Sequence, residues 1–459
     1  MKSNKIFFAL IMLVILANGS CKKSFFTDVN VNPNVPAEVA PNLILPTAEA
    51  ALAYTQGGDI SRYTSLITQQ VFGANSQSQT YYLYGYNPGS FDNLWPDLYT
   101  STIINIDTLK NLADNKGFNV YSGISRILMA YTLQVTVDLW GKVPYSQAVK
   151  GNANLHPAYD DDQALYDTIV SLINIGTNQL LDTHKGTLIP GSDDGIYGGN
   201  TESWIKFGHG IKARLYIHQS KGNAAMANKA LEEIALSFTG NAESAQYRFG
   251  VAETAANPWY QFNRDRPGDE TFSNSTLGTR LHNLNDPRLT IFVDAGNDGK
   301  GQSSDGSHYG GLNKYYGAVN SPVELITYDE LLFIKAEATL RATGNYATAE
   351  NFYQMAIQKN MDKLGVGAGA INTYISLNGT LPVTGVNAAI AKVAEQEFIA
   401  LYLNPEAWVL WRRTGSPALT PTGPGEVPRR LFYPQSEYSY NTANTPTSTL
   451  YTPKIFWDK

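Results

Sequence analysis

Cysteine is almost absent: one thiol, Cys21, among 459 residues. A single cysteine excludes an internal disulfide and any multi-cysteine zinc site, so packing has to hold the fold. Charge is sparse as well. Asp, Glu, Lys and Arg make up 16% of the chain, against roughly 25% in ordinary soluble domains. Solubility therefore falls to Asn, Ser, Thr, Gln and Tyr. The 40 acidic residues outnumber the 34 basic ones, and no Lys/Arg cluster offers a footprint for a phosphate backbone, so nucleic acid is not an expected partner. The histidines, at 156, 184, 209, 218, 282 and 308, are scattered. There is no His-Glu-x-x-His pair, no Gly-x-Ser-x-Gly elbow and no phosphate-binding glycine loop. No metal or cofactor is expected, and no catalytic residue stands out.

What is present begins at the N-terminus. Lys2 and Lys5 precede an apolar run from Ile6 to Ala17, followed by Asn18-Gly19-Ser20-Cys21. Charged start, apolar middle and small-residue end are the parts of a secretory signal. Twelve helical residues reach about 18 Å, short of a hydrocarbon core of about 30 Å. Small residues directly before the only cysteine resemble the lipobox of a bacterial lipoprotein, in which that cysteine is acylated. Residues 1–20 then read as signal peptide and residues 21–36 as lipidated Cys21 and tether, with several acyl chains giving durable membrane attachment. Removing residues 1–20 takes the net charge from −6 to −8.

No linker breaks the remainder, so residues 37–459 are expected to form one mostly α domain. Tyr346, Ala349, Tyr353 and Ala356 have the spacing of a tetratricopeptide second helix, after an amphipathic Tyr328–Ala342. Trp204, Phe207, Gly208 and Ile211 suit a first helix, with Gly222-Asn223 opening its partner. A third pair combines Ile124–Leu139 with Gln163–Leu181. Further helices are expected at Leu43–Tyr54, Ile60–Phe72, Leu94–Ala113, Ala388–Tyr402 and Glu406–Thr414. Stretches 182–200, 240–322, 360–385 and 415–459 lack sustained periodicity and are expected to form an irregular binding face. Gly365-Val366-Gly367-Ala368-Gly369 reads as a flexible connector.

Few patterns carry chemistry. Asp160-Asp161-Asp162 precedes Gln163-Ala164-Leu165 and reads as a helix cap. Glu330 and Glu337 are expected to be solvated or salt-bridged. Asp294 to Asp305 half resembles a calcium loop, but Gly296 and Asp305 replace the required ligands, and an ordinary turn is expected. Aromatic clustering is the stronger signal: 28 Tyr, 18 Phe and 7 Trp, many beside Asn, Gln and Gly. A sugar's C–H face packs on an exposed ring while amides take its hydroxyls. Tyr82, Tyr84, Trp95, Trp259, Tyr309 and Tyr316 are the candidate ligand platforms, and core packing is the alternative for each.

A set of motifs in a fixed order carries a family resemblance: Asp28-Val29-Asn30-Val31-Asn32-Pro33-Asn34 after Cys21; Asp138-Leu139-Trp140-Gly141-Lys142-Val143-Pro144-Tyr145; Trp204-Ile205-Lys206-Phe207; and Asp286-Pro287-Arg288-Leu289. Tyr328-Asp329-Glu330-Leu331-Leu332-Phe333-Ile334-Lys335-Ala336-Glu337-Ala338, Ala407-Trp408-Val409-Leu410-Trp411-Arg412-Arg413-Thr414-Gly415 and Pro428-Arg429-Arg430-Leu431-Phe432-Tyr433-Pro434 complete it. Over nearly the whole mature length the chain resembles the SusD/RagB nutrient-binding lipoproteins of Bacteroidota, in their SusD-like branch. The resemblance implies a non-catalytic tetratricopeptide scaffold, lipid-anchored at the outer membrane and facing the exterior. It also implies a partner, a SusC-like TonB-dependent barrel that receives an oligosaccharide or, in some members, a peptide. The motifs themselves look structural, and no ligand contact carries over from them. A lipoprotein glycoside hydrolase is the remote alternative and would need two carboxylates facing each other in the cleft.

Overall fold

The computed structural model describes residues 39–272, 274–293 and 314–458. Cys21, the proposed signal and tether, Tyr309 and the Asp294–Asp305 loop lie outside the described residues. Helices build the body. A helix α1 (Pro41–Thr55) runs through a π-helical turn, Gln56–Ile60, into α2 (Ser61–Ile67). A second π-helical segment, Asp97–Ile103, leads into α3 (Ile104–Lys116), where one uninterrupted helix was expected from residue 94. Three hairpins follow the expected pairs. They are α4 (Asn119–Trp140) with α5 (Asp162–Leu181), α6 (Thr201–His218) with α7 (Ala224–Ile234), and, after α8 (Pro258–Asp265), α9 (Tyr328–Thr343) with α10 (Tyr346–Lys363). Then come α11 (Ala368–Asn378), α12 (Val386–Ala400) and α13 (Glu406–Thr414). Among the described residues, strands are confined to two antiparallel ribbons. One joins β1 (Phe72–Gly73) to β3 (Glu270–Thr271), the other β2 (Ala245–Arg248) to β4 (Pro322–Ile326).

Side-chain caps start the hairpin helices where the sequence marks them. Asp161 accepts hydrogen bonds from the Gln163 and Ala164 amides, Asn200 from Ser203, Asn223 from Met226 and Asn345 from Thr348. Each satisfies amides that no helical carbonyl can reach. Asp160 instead takes the Tyr145 and Ser146 amides at 2.7 and 2.8 Å, closing the α4–α5 loop. Helix α11 contradicts the expected connector. Gly365 ends α10 with φ +78°, and Ile371 and Tyr374 of α11 are buried beside Phe333, Tyr353 and Val393. With Gly367 at its start, α11 offers no capping side chain to read.

Two small residues let α4 and α5 touch. A Cβ on Gly123 would lie 2.8 Å from the Gly176 carbonyl oxygen and 2.7 Å from Leu180 Cγ. Gly123→Val forces these helices apart and lowers stability by about 1–3 kcal/mol, the cost of overpacking. A urea midpoint equal to the parent's would show that the helices separate freely.

The family-like motifs serve packing. The Trp140 indole donates to the Phe432 carbonyl at 2.7 Å and Trp408 to Pro428 at 2.8 Å, tying α4 and α13 to the C-terminal segment. Arg288 is fully buried, held by Asp286 at 2.6 Å and by Asn360 and Gln396 at 2.8 Å. Glu330 and Glu337 are buried and paired: Glu330 takes two bonds from Arg214, and Glu337 pairs with Arg341 and Arg413.

Glu49 of α1 fastens the 182–200 segment. Its Oε2 accepts the Gly195 amide at 2.7 Å, while Oε1 is buried with no donor to serve it. Asp194 beside it accepts from the Ile196, Tyr197 and Gly199 amides and the Trp204 indole. Burial first, then Asp194, pushes the Glu49 carboxyl well up, and a proton on Oε1 turns an unserved acceptor into a donor toward the Asp194 carboxylate. A carboxyl whose folded pKa is raised holds its proton more tightly folded than unfolded. Its contribution is therefore full below its unfolded value and declines as pH climbs toward the folded one. Glu49→Gln carries the donor permanently. It should match the parent near pH 4 and exceed it at pH 8 by about 1–3 kcal/mol, the cost of an unserved buried polar atom. Parallel stability curves across that range would contradict this account.

Candidate binding groove

Gly57-Gly58 interrupts the first helical run, and Gly58 leaves helical geometry at ψ −113°. A Cβ on Gly57 would sit 2.3 Å from Val323 Cγ2 and 3.2 Å from Pro258 Cγ, so only glycine lets this turn press against β4 and α8. The resulting π turn leaves Asp59 half-buried on the groove wall, where a regular helix would continue. Such π distortions are frequent at functional sites.

The turn forms one wall of a cavity of about 520 Å³, within the range of small-ligand sites. Tyr54, Thr55, Gly58, Asp59 and Arg62 come from α1, the turn and α2. Asn93, Pro96 and Asp97 form a second wall, and Pro258, Gln261, Phe262, Asp265 and Arg266 a third. Tyr54 is 47% exposed, and its hydroxyl donates to Gln261 Oε1 at 2.9 Å, linking two walls. The Arg62 guanidinium lies 3.7 Å over the Phe262 ring and donates to Glu270 at 3.0 Å. An Arg62–Asp59 bridge of 3.3 Å completes the set. Burial would depress Arg62, but Glu270 and Asp59 outweigh it and raise it. Burial and then Asp59 raise Asp97; burial and then Asp59, Asp97 and Asp265 raise Tyr54. An exposed ring, amides and carboxylates around one open groove can pack a sugar face and take its hydroxyls.

Five of the six expected platforms are not platforms. Tyr82, Tyr84, Trp95, Trp259 and Tyr316 are all buried. Tyr82 packs on Phe72, and the Tyr84 hydroxyl receives the Thr422 amide at 3.3 Å. Trp95 stands edge-on to Trp140 at 5.2 Å. Tyr316 lies between Phe292 and Tyr402. Trp259 and Tyr316 meet only at a gap of about 30 Å³, room for water and not for a sugar ring. Two of these rings nonetheless hold the groove walls in place. The Trp259 indole donates to Ser61 Oγ at 2.9 Å, pinning α8 to α2, with Gln261, Phe262 and Asp265 following on the groove side. Trp95 likewise anchors the turn that presents Pro96 and Asp97. The residues that do line the groove, Tyr54 and Phe262 above all, were outside the clusters that the sequence displayed. The signal that could have found them is the Gly-Gly-Asp break in an otherwise regular helix.

Among the described residues one set of metal-type side chains converges: Asp138, His218 and Glu406, all buried, with ligand atoms within 4.8 Å of one another. Their atoms are committed elsewhere. His218 bonds Tyr166 at 2.9 Å and Glu406 at 2.8 Å, and Asp138 takes Tyr166, Trp457 and Gln134. The set is a polar strut between α4, α6 and α13. No helix among the described residues is long and apolar enough to cross a membrane.

Comparison with known proteins places these features in a family. No curated protein sequence matches the chain. A SusD-like family model, described as starch-binding associating with outer membrane, matches residues 33–434. Solved structures share the fold. A SusD/RagB family protein from Bacteroides thetaiotaomicron is 22% identical with a TM-score of 0.73, covering 92% of this chain and 99% of its own. A chitin-binding protein is 22% identical with a TM-score of 0.77, covering 92% and 100%. A SusD homolog from Bacteroides fragilis is 21% identical with a TM-score of 0.74, over the same shares. The chain belongs to the SusD-like family.

Proposed function

We propose that this protein captures oligosaccharide in the groove between Tyr54, Asp97 and Phe262 and delivers it to a SusC-like TonB-dependent transporter. It does so at the outer membrane, facing the exterior, anchored through acylated Cys21 after removal of residues 1–20. The groove carries the reading: about 520 Å³ of open volume with an exposed tyrosine, a stacked Phe262–Arg62 pair and amides at its walls suits a polar, ring-shaped ligand. Membership of a family described as starch-binding, and a structural neighbour described as chitin-binding, support a saccharide. Binding without cleavage is the expected activity, since stacking and amide contacts hold a ground state and do nothing for a transition state.

Calorimetric titration against oligosaccharides and peptides, with product analysis on the same samples, tests this. Saccharide binding without new products supports capture. Peptide binding alone moves the same capture role to protein-derived nutrients, and released sugars would instead make Asp59 and Asp97 the carboxylates of a hydrolase.

A further inference from the structure

The groove's charge is unbalanced, and this bears on which saccharide it takes; the inference rests on the capture reading above. Arg62 is committed to Glu270 behind it and Asp59 beside it. Asp265 is held by Arg264, with contacts of 2.7 and 3.0 Å, and Arg264 also pairs with Glu253. Arg266, at the rim, is exposed. The groove lining thus sets three carboxylates, Asp59, Asp97 and Asp265, against two guanidiniums, Arg62 and Arg266. Asp97 is the carboxylate left over. It lines the groove, is exposed at its mouth and makes no ion pair among the described residues. Its charge is already felt there: Asp97 and Asp59 both disfavour ionisation of Tyr54, and Asp59 that of Asp97. A ligand that brings an anion would add to this repulsion, whereas one that brings an ammonium would relieve it.

We propose that Asp97, with Asp59 beside it, selects saccharides bearing a protonated amine, so that hexosamine chains bind in preference to neutral chains and neutral chains in preference to uronate chains. Such a preference is electrostatic. One added charge pair at the mouth of a wet groove changes affinity by about five-fold per engaged amine, and salt screens it over about 10 Å at 0.1 M.

The test uses four β-1,4-linked tetrasaccharides of like shape, those of glucosamine, N-acetylglucosamine, glucose and glucuronate, with tetralysine as a fifth probe. Titrations run at 20 and 300 mM salt. Expected are tightest binding for the glucosamine tetramer, about five-fold or more over the glucose tetramer at low salt, and weaker binding of the glucuronate tetramer than of the glucose tetramer. In Asp97→Asn the advantage of the glucosamine tetramer over the glucose tetramer, read as a ratio within the variant, collapses toward unity. Asp97 is exposed, so this variant keeps the fold. Equal binding of all three non-acidic tetramers, or preference for glucuronate, overturns the proposal and leaves capture standing. So does silence from all four when maltotetraose or another saccharide binds. Tetralysine bound with no saccharide bound overturns both, in favour of a basic peptide.

Discussion

Replacing Arg214 with methionine lowers the stability of the folded protein by about 3–5 kcal/mol. The Arg214 and Glu330 side chains are each 1% exposed, joined by two bonds of 2.7 Å, Nε to Oε1 and Nη2 to Oε2. Arg214 Nη2 also serves the Leu325 carbonyl of β4 at 2.7 Å, and Glu406 lies 3.6 Å from Nε. Burial would lower Arg214, but Glu330 and Glu406 outweigh it, and the guanidinium stays charged. Burial pushes Glu330 up and Arg214 pulls it back. Removing the cation alone therefore leaves a carboxylate in the core without its counter-charge, which is far costlier than removing both partners. Arg214→Met combined with Glu330→Gln should recover much of the loss. Urea unfolding of the two variants checks it: a single variant within 1 kcal/mol of the parent would mean that water reaches the site.

The second large effect is on binding. Tyr54→Ala weakens saccharide affinity by about thirty-fold, or about 2 kcal/mol, the size expected of a central aromatic contact. Tyr54→Phe loses only the bond to Gln261 and keeps the stacking face, so it should stay within about five-fold. Because Tyr54 is half exposed, neither variant should move the urea midpoint by more than about 0.5 kcal/mol. If alanine and phenylalanine weaken binding equally, the hydroxyl carries the contact and the ring does not. If neither matters, the ligand sits elsewhere.

The scaffold was legible in the sequence because helix periodicity and capping act locally. Asp161 and Asn223 start helices where they stand, and Gly208 lets α6 approach Ile173 of α5. Helix α11 was hidden because it has a glycine in place of a capping side chain and buries only one short stripe around Ile371 and Tyr374. The groove was harder to see for a reason of packing. Tyrosine and tryptophan clusters advertise area, and the fold spends most of that area internally: Tyr81 stacks on Tyr86 at 4.6 Å, and Tyr63 meets both edge-on. Which ring remains exposed depends on the π turn at Gly57-Gly58 and on partners more than 200 residues away, such as Gln261 facing Tyr54. That pairing has no local signature. The buried rings still pointed near the site, since Trp95 immediately precedes groove-lining Pro96 and Trp259 lies between groove-lining Pro258 and Gln261.

The central claim is that ligand enters the groove formed by residues 54–62, 93–97 and 258–266. Hydrogen exchange with and without a saturating saccharide tests it most directly, because bound ligand suppresses the local openings through which amides exchange. The account predicts slowed exchange in these three segments together, with no change at 218–226 and 455–458, which border a separate cavity of about 260 Å³. Protection confined to that second cavity, with the three groove segments unchanged, would contradict it.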